Sequence, residues 1–443
     1  MQNEEESPRL SPGLRDIHNR LCSVEALLAN IYAKYYLEQY PNASIKSKQS
    51  LQRALEDQYS LYTNYNFIDD TQEYKVRALI SDFFAHLDSI ISMNNVKNNL
   101  LLFPNSYNGL DDPNHPQYKA EIQALIGKKL PQFGQLIVDQ IYPVSSASDL
   151  VLRVWLQDPA TKKPVMSLII KTLGSNPVRN DIAHKYGLFY REASFYSSMA
   201  DPIRQYTPIC YFSSAEDSLL IMEDKGVAVV GDQLYGYTAE EAYDVITGII
   251  RMHEFWMGKQ PECFLPQVND QQITDMIPQM LLHCWGITKA SLNPDNNKRI
   301  DAIIEDLANN IKPIADELSV HSTIIHGDLR MENLLFRGPK LDVIVDWQLL
   351  AMGSPMVDVA YFLVQSGGKE EREQVEARVF ALYSQKFAHT GLNQARLEFE
   401  YRLATKYSLI IPIMAAAADM HAFEVPRKII TSAFHRAIEA IAL

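Results

Sequence analysis

The chain has 443 residues, 47% of them hydrophobic and 21% charged, with a net charge of −13. Such usage supports a sizeable core in two or three domains, and the acidic balance excludes a nucleic-acid grip, which needs a basic face to neutralise phosphates. The four scattered cysteines, Cys22, Cys210, Cys263 and Cys284, form no C-x-x-C pair, so neither a zinc knuckle nor a disulfide framework is implied. Near the N-terminus, Leu14, Ile17, Leu21, Val24, Leu28, Ile31 and Tyr35 recur at alternating steps of three and four residues. That spacing predicts a helix with one apolar seam, opened by Ser11-Pro12. The seam suits packing inside its own domain or, alternatively, a homodimer through these N-terminal helices. Further helical patterns cover Leu51 to Tyr65 and Val76 to Met93.

The stretch PNSYNGLDDPNHPQ, from Pro104, concentrates structure-breaking residues and marks a boundary. Beyond it EIQALIGKKL reads as a helix, and QLIVDQIY, DLVLRVWL and PVMSLIIKTL read as strands of an antiparallel sheet. LFYREASFYSSMA is helical, and PICYFSS and SLLIMED are two more strands. From Thr238 onward the pattern is mainly helical, interrupted by two short apolar runs that each end in polar residues. His283-Cys284 reads as a buried structural pair, and Trp256 and Trp285 as core residues. MQNEEESPRL does not read as a signal peptide, and the apolar run LIIPIMAAAA is too short to span a bilayer. These features point to a reducing cytoplasm and no membrane partner.

The two interruptions carry the chemistry. In IIHGDLRMEN, Asp328 lies two residues after His326, and Asn333 five residues after Asp328. In DVIVDWQ, Asp346 closes an apolar strand. Two oxygen ligands of this hard type suit Mg²⁺, which keeps several waters and takes one or two carboxylates plus phosphates. A remaining Asp can then orient or deprotonate a hydroxyl. Those are the parts that phosphoryl transfer needs. The bland alternative is that Asp328 and Asn333 cap turns.

HGDLRMENLLF followed by VIVDWQ resembles the aminoglycoside phosphotransferase and choline kinase-like superfamily, to which protein kinases are more distantly related. DWQLLAMGSPMVDVAYFL, GDQLYGYTAEEA and IRMHEFWMG resemble a branch of small-molecule hydroxyl kinases that includes the kinase-like parts of acyl-CoA dehydrogenase fusion proteins and lies near the ecdysteroid kinases. The resemblance runs from about residue 116 to near the C-terminus. It implies an α+β, two-lobed protein kinase-like fold, with a small antiparallel-sheet lobe over 116–224 and a helical lobe over 225–443; the helical patterns that precede it, which the resemblance does not cover, read as an extension over 1–115.

The resemblance also implies roles. Asp328 positions and deprotonates the acceptor hydroxyl, Asn333 and Asp346 hold Mg²⁺, and His326 is architectural. Lys171, on the third strand after an apolar run, meets the phosphates of ATP, and Glu192 on the inserted helix holds it. Adenine lies against the main chain of Met222, Glu223 and Asp224. Asp358 matches a family Asp that braces the catalytic loop, although a helix-start carboxylate would look the same. The phosphate-covering loop of this branch reads Gly-Gly-x-Ser-Asn. Here Ser145 and Ser146 replace the glycines and Ser148 falls on the serine, which leaves fewer backbone shapes for bringing N–H groups onto phosphate. The expected activity is ATP- and Mg²⁺-dependent phosphorylation of a small-molecule hydroxyl. The alternatives are a catalytically silent kinase-fold scaffold and a protein kinase. The long helical segment from Thr238 to Val320 suits an enclosed small-molecule pocket better than an open peptide groove.

Overall fold

Helix α1, Pro116–Lys129, buries Ile122 and Ile126 on one face and ends on Lys128 and Lys129, which complement the negative end of its dipole. In the computed structural model the described residues run from 116 to 442, apart from 145–148, 174–176, 226–227, 235, 338 and 419–423. The helices expected before residue 115, and Ser145, Ser146 and Ser148, lie outside them. Gln123 fastens α1 to the sheet, donating to Leu136 O at 2.9 Å and accepting from Val138 N at 2.7 Å.

Strands β1 (Ile137–Val144), β2 (Asp149–Gln157) and β3 (Pro164–Leu173) form an antiparallel meander. The turn between β2 and β3 is set by Asp158, whose Oδ1 accepts from the amides of Ala160 and Thr161 at 2.9 and 2.7 Å. Leu152, Val154 and Leu156 of β2 and Leu168 and Ile170 of β3 alternate into one buried face. Arg153 and Lys171 lie on the other face. Lys171 is buried and pairs across the sheet with Val151. Two helices follow, α2 (Pro177–Lys185) and α3 (Leu188–Ser194), the second continued by a wide turn over Phe195–Met199. Strands β4 (Cys210–Ser214) and β5 (Leu219–Glu223) complete a five-stranded sheet in the order β1-β2-β3-β5-β4.

The chain divides into two compact units. Among the described residues the first comprises 116–180 with Leu220–Ala228, and the second comprises Asp181–Leu219 with 229–442. In the first unit Asp224 turns inward after β5. Arg153 reaches Asp224 Oδ2 through Nε at 2.6 Å and Oδ1 through Nη2 at 3.0 Å, and the Ser167 hydroxyl donates to Oδ2 at 2.6 Å. A forked Arg–carboxylate contact of this kind fixes direction as well as distance. It fastens the residue after β5 to both β2 and β3.

The second unit is mainly helical. Strand β6 (Val229–Val230) precedes α4 (Ala239–Trp256), which begins in a full capping box: Thr238 accepts from Glu241 N, and the Glu241 carboxylate accepts from Thr238 N. Helices α5 (Gln271–Leu292) and α6 (Lys298–Glu317) follow. Then come strands β7 (Thr323–Ile325), β8 (Leu334–Arg337), β9 (Lys340–Ile344) and β10 (Ala351–Gly353). β7 pairs with β10, while β8 lies between β6 and β9, all antiparallel. Helix α7 (Met356–Ser366) is buried on every side, as a central helix must be. Helices α8 (Lys369–Lys386), α9 (Gln394–Tyr407), α10 (Ile410–Ala418) and α11 (Glu424–Ala442) complete the unit.

One local expectation is corrected. Cys284 is buried but His283 is exposed. Successive residues of a helix point about 100° apart, and α5 turns Cys284 and Trp285 inward while His283 faces out. No helix among the described residues is long and apolar enough to cross a membrane.

Candidate active site

The site is built in the second unit, where β7 ends and its chain turns. Gly327 has φ +80°, and a Cβ there would collide with the Leu349 carbonyl, so this position requires glycine on two counts. Gly327→Ala is expected to cost roughly 1–3 kcal/mol in backbone strain alone. A thermal melt about 5 °C below wild type would register it.

The turn is braced from α7. The Asp358 carboxylate accepts from His326 N at 2.7 Å and from Gly327 N at 2.9 Å. Its Oδ2 also meets His253 Nε2 of α4 at 3.1 Å, and His253 Nδ1 meets the Tyr383 hydroxyl of α8 at 2.8 Å. Burial works against the Asp358 charge, but the hydrogen bond and charge of His253 and the backbone hydrogen bond of His326 outweigh it and hold the carboxyl below the usual range. His326 itself is architectural. Its Nδ1 accepts from Asp328 N at 3.2 Å, which leaves the proton on Nε2 to be donated to Val345 O at 3.0 Å.

Asp328 then emerges with its side chain 14% exposed. Its Oδ2 accepts from Asn333 Nδ2 at 2.9 Å and from Arg330 Nε at 3.2 Å. Asn333 Nδ2 also donates to Asp328 O at 2.8 Å. The Tyr361 hydroxyl, on α7, hydrogen-bonds Asp328; burial first and the Asp328 charge second raise its pKa well above the ordinary value, so it remains a donor. The Arg330 guanidinium is held protonated, chiefly by Asp328, with Glu332, Tyr361 and Asp346 also contributing.

The hairpin of β8 and β9 brings the second cluster to the first. Val345 N donates to Asn333 O at 2.9 Å, and Asp346 follows in a left-handed conformation, φ +67° and ψ +62°. A non-glycine residue there is uncommon and marks a place where the surroundings dictate the backbone. Trp347, fully buried, stacks on Phe195 with centroids 3.8 Å apart and packs against His326. The segment that follows the Glu192 helix therefore rests on the turn that follows Asp346. Glu192 is buried on α3.

Donor chemistry decides what these groups can hold. The Asn333 amide nitrogen is engaged twice by Asp328, so its oxygen is the atom it can offer a cation. Asp346 supplies a carboxylate beside it in the chain path. Among the described residues no group of three His, Cys, Asp or Glu side chains forms a metal cage. A hard cation that completes its shell with water and phosphate fits Asn333 and Asp346 better than one needing a full protein cage.

The sequence reading missed two participants. Arg330 sits inside the quoted loop, and its position two residues after Asp328 was the available signal. Tyr361 lies in the quoted DVAYFL stretch, three residues after Asp358, so both share one face of α7.

The buried loop brace, the Asp carried above it and the Asn and Asp joined through a hairpin sit in an α+β, kinase-like fold. The chain is a member of the Ecdysteroid kinase-like family, which it matches over residues 148–395, more than half its length. Among curated relatives it is 37% identical over 70 residues to a probable acyl-CoA dehydrogenase of Arabidopsis thaliana, covering 15% of this chain and 8% of that protein. It is 45% identical over 42 residues to acyl-CoA dehydrogenase family member 10 of Mus musculus, covering 9% and 4%. These matches thus span a small part of either relative. Similar solved structures include a choline kinase from Cryptosporidium parvum, at 12% identity and TM-score 0.46, covering 72% of this chain and 94% of that one. Another is a choline/ethanolamine kinase family protein from Mesorhizobium loti, at 13% identity and TM-score 0.45, covering 73% and 95%.

Proposed function

We propose that this chain transfers the γ-phosphate of ATP, with Mg²⁺, to a hydroxyl of a small molecule. The observation that carries the reading is the fixed Asp328 carboxylate, partly exposed on a loop whose backbone is tied at His326, Gly327 and Asp328. With Oδ2 oriented by Asn333 and Arg330, the carboxylate plane is set and the remaining acceptor capacity can receive a hydroxyl proton. The acceptor oxygen then forms the new bond to the γ-phosphorus as the bond to the leaving ADP oxygen breaks. The proton passes to Asp328.

Asn333 and Asp346 would hold Mg²⁺, which when bound neutralises charge on the phosphates. Arg330 adds a fixed positive charge beside Asp328. Lys171 and Glu192 enter the reading by their match to the family pattern, as do the main-chain groups of Met222, Glu223 and Asp224 for adenine. The inward turn of Asp224 toward Arg153 and Ser167 supports a fixed linker backbone. The cytoplasm, with ATP and reduced cysteines, is the proposed setting.

The test is mass spectrometry of a metabolite extract from the native host after incubation with ATP, Mg²⁺ and protein. A small molecule that gains one phosphate with wild type, and not with Asp346→Ala, is expected. An unchanged product in the Asp346→Ala reaction would remove that residue from the machinery. ATP binding with no phosphorylated product in any host extract would favour a silent scaffold.

A further inference from the structure

The GDQ motif, Gly231 to Gln233, has no part in the chemistry above, yet it lies along the loop that carries it. Val229 and Val230 of β6 pair with Phe336 and Leu335 of β8. Gly231 N then donates to Leu334 O at 2.8 Å. A side chain at Gly231 would strike the Met331 carbonyl, so only glycine allows this approach. Two residues on, Gln233 N donates to Glu332 Oε1 at 3.2 Å. The segment 229–234 thus touches the loop at Met331, Glu332 and Leu334, on both sides of Asn333.

The same segment is held from behind by the last helix. Arg436 of α11 donates from Nη1 to Gln233 O at 2.6 Å and from Nη2 to Leu234 O at 3.0 Å. Its Nη1 also donates to Gln365 O at 3.0 Å, which Gln233 Nε2 shares at 3.2 Å. Gln365 lies in the last turn of α7, where carbonyls have no partner inside the helix and a cation is favoured. The opposite end of α7 carries Asp358, the brace of His326 and Gly327. One guanidinium therefore joins both supports of the loop: the segment that touches it and the helix that braces it. Three carbonyls at fixed angles suit the planar donor fork of Arg and not the point charge of Lys.

We propose that Arg436 is a positioning residue for the loop carrying Asp328 and Asn333, acting through the Gly231–Leu234 segment and the end of α7. It belongs to a helix beyond residue 395, where the family match ends. The functional half of the proposal rests on the phosphotransferase reading; the structural half does not.

Amide hydrogen exchange on the full chain tests it, comparing wild type, Arg436→Met and the milder Arg436→Lys. Loss of the fork should speed exchange of amides 326–334 by about tenfold, leave the amides of α4 and α6 unchanged, and place Arg436→Lys between the two. Unchanged exchange in 326–334, or a rise of equal size in α4 and α6, overturns the proposal. If Arg436→Met does not fold, Arg436→Lys decides by the same criterion. In parallel, the maximal rate of transfer from Mg·ATP into host extract should fall about tenfold in Arg436→Met, whether or not the half-saturating Mg·ATP concentration also rises. A rise in that concentration at unchanged maximal rate would also overturn it. Failure of wild type itself to bind Mg·ATP would defeat the phosphotransferase reading and leave the exchange result to decide the structural half.

Discussion

Replacing Asp328 with Asn should lower phosphoryl transfer by about 10²–10⁴-fold while the protein stays folded. Asp and Asn have the same shape. Asn333 Nδ2 and Arg330 Nε both donate to one carboxylate oxygen, and the amide oxygen of Asn can take that place. The amide nitrogen then occupies the other position, as a donor where the carboxylate could only accept. What disappears is the ability to accept a proton and the negative charge that Arg330 faces at 3.2 Å. A discontinuous assay of phosphorylated product by mass spectrometry, beside a thermal melt, separates the two consequences. A melt within a few degrees of wild type with transfer lost is the expected pair. Transfer at the wild-type rate would remove Asp328 from the chemistry.

The loop's layout was legible because it is local. His326, Asp328 and Asn333 stand at fixed offsets after a strand-forming run, and Asp346 ends the next one, so spacing and type alone suggested oxygen ligands and a proton acceptor. The sheet was legible for the same reason: Leu152, Val154 and Leu156 alternate within one segment. What could not be read is what holds the loop. Asp358 looked equally like a helix-start carboxylate, because its partners are backbone amides 32 and 31 residues earlier and His253, 105 residues away. Arg436 meets Gln233 across 203 residues and acts on carbonyls, which every residue possesses. No side-chain pattern announces such a contact. His283 and Cys284 show the converse: adjacency in sequence suggested a shared environment, and helical geometry separated it.

Asp358→Ala should destabilise the second unit by about 4 kcal/mol, since removing a buried acceptor orphans His326 N, Gly327 N and His253 at about 1–3 kcal/mol for each unsatisfied donor. His253 and Asp358 are both fully buried, so water cannot replace the lost acceptor without opening the core. A shift of this size corresponds to a melting temperature roughly 10 °C lower. Transfer should fall as well, since the turn that presents Asp328 loses its anchor. The pH dependence provides a control. The Asp358 carboxyl is held below its ordinary value of 3.8, so its contribution is fully present above that value and lost as pH falls through the lower folded one. The difference in stability between wild type and Asp358→Ala should therefore stay constant from neutral pH down to about pH 4 and narrow below it. Denaturant melts across that range would show it. A difference that instead vanished between pH 7 and 5 would mean that another group supplies the charge on which the loop depends.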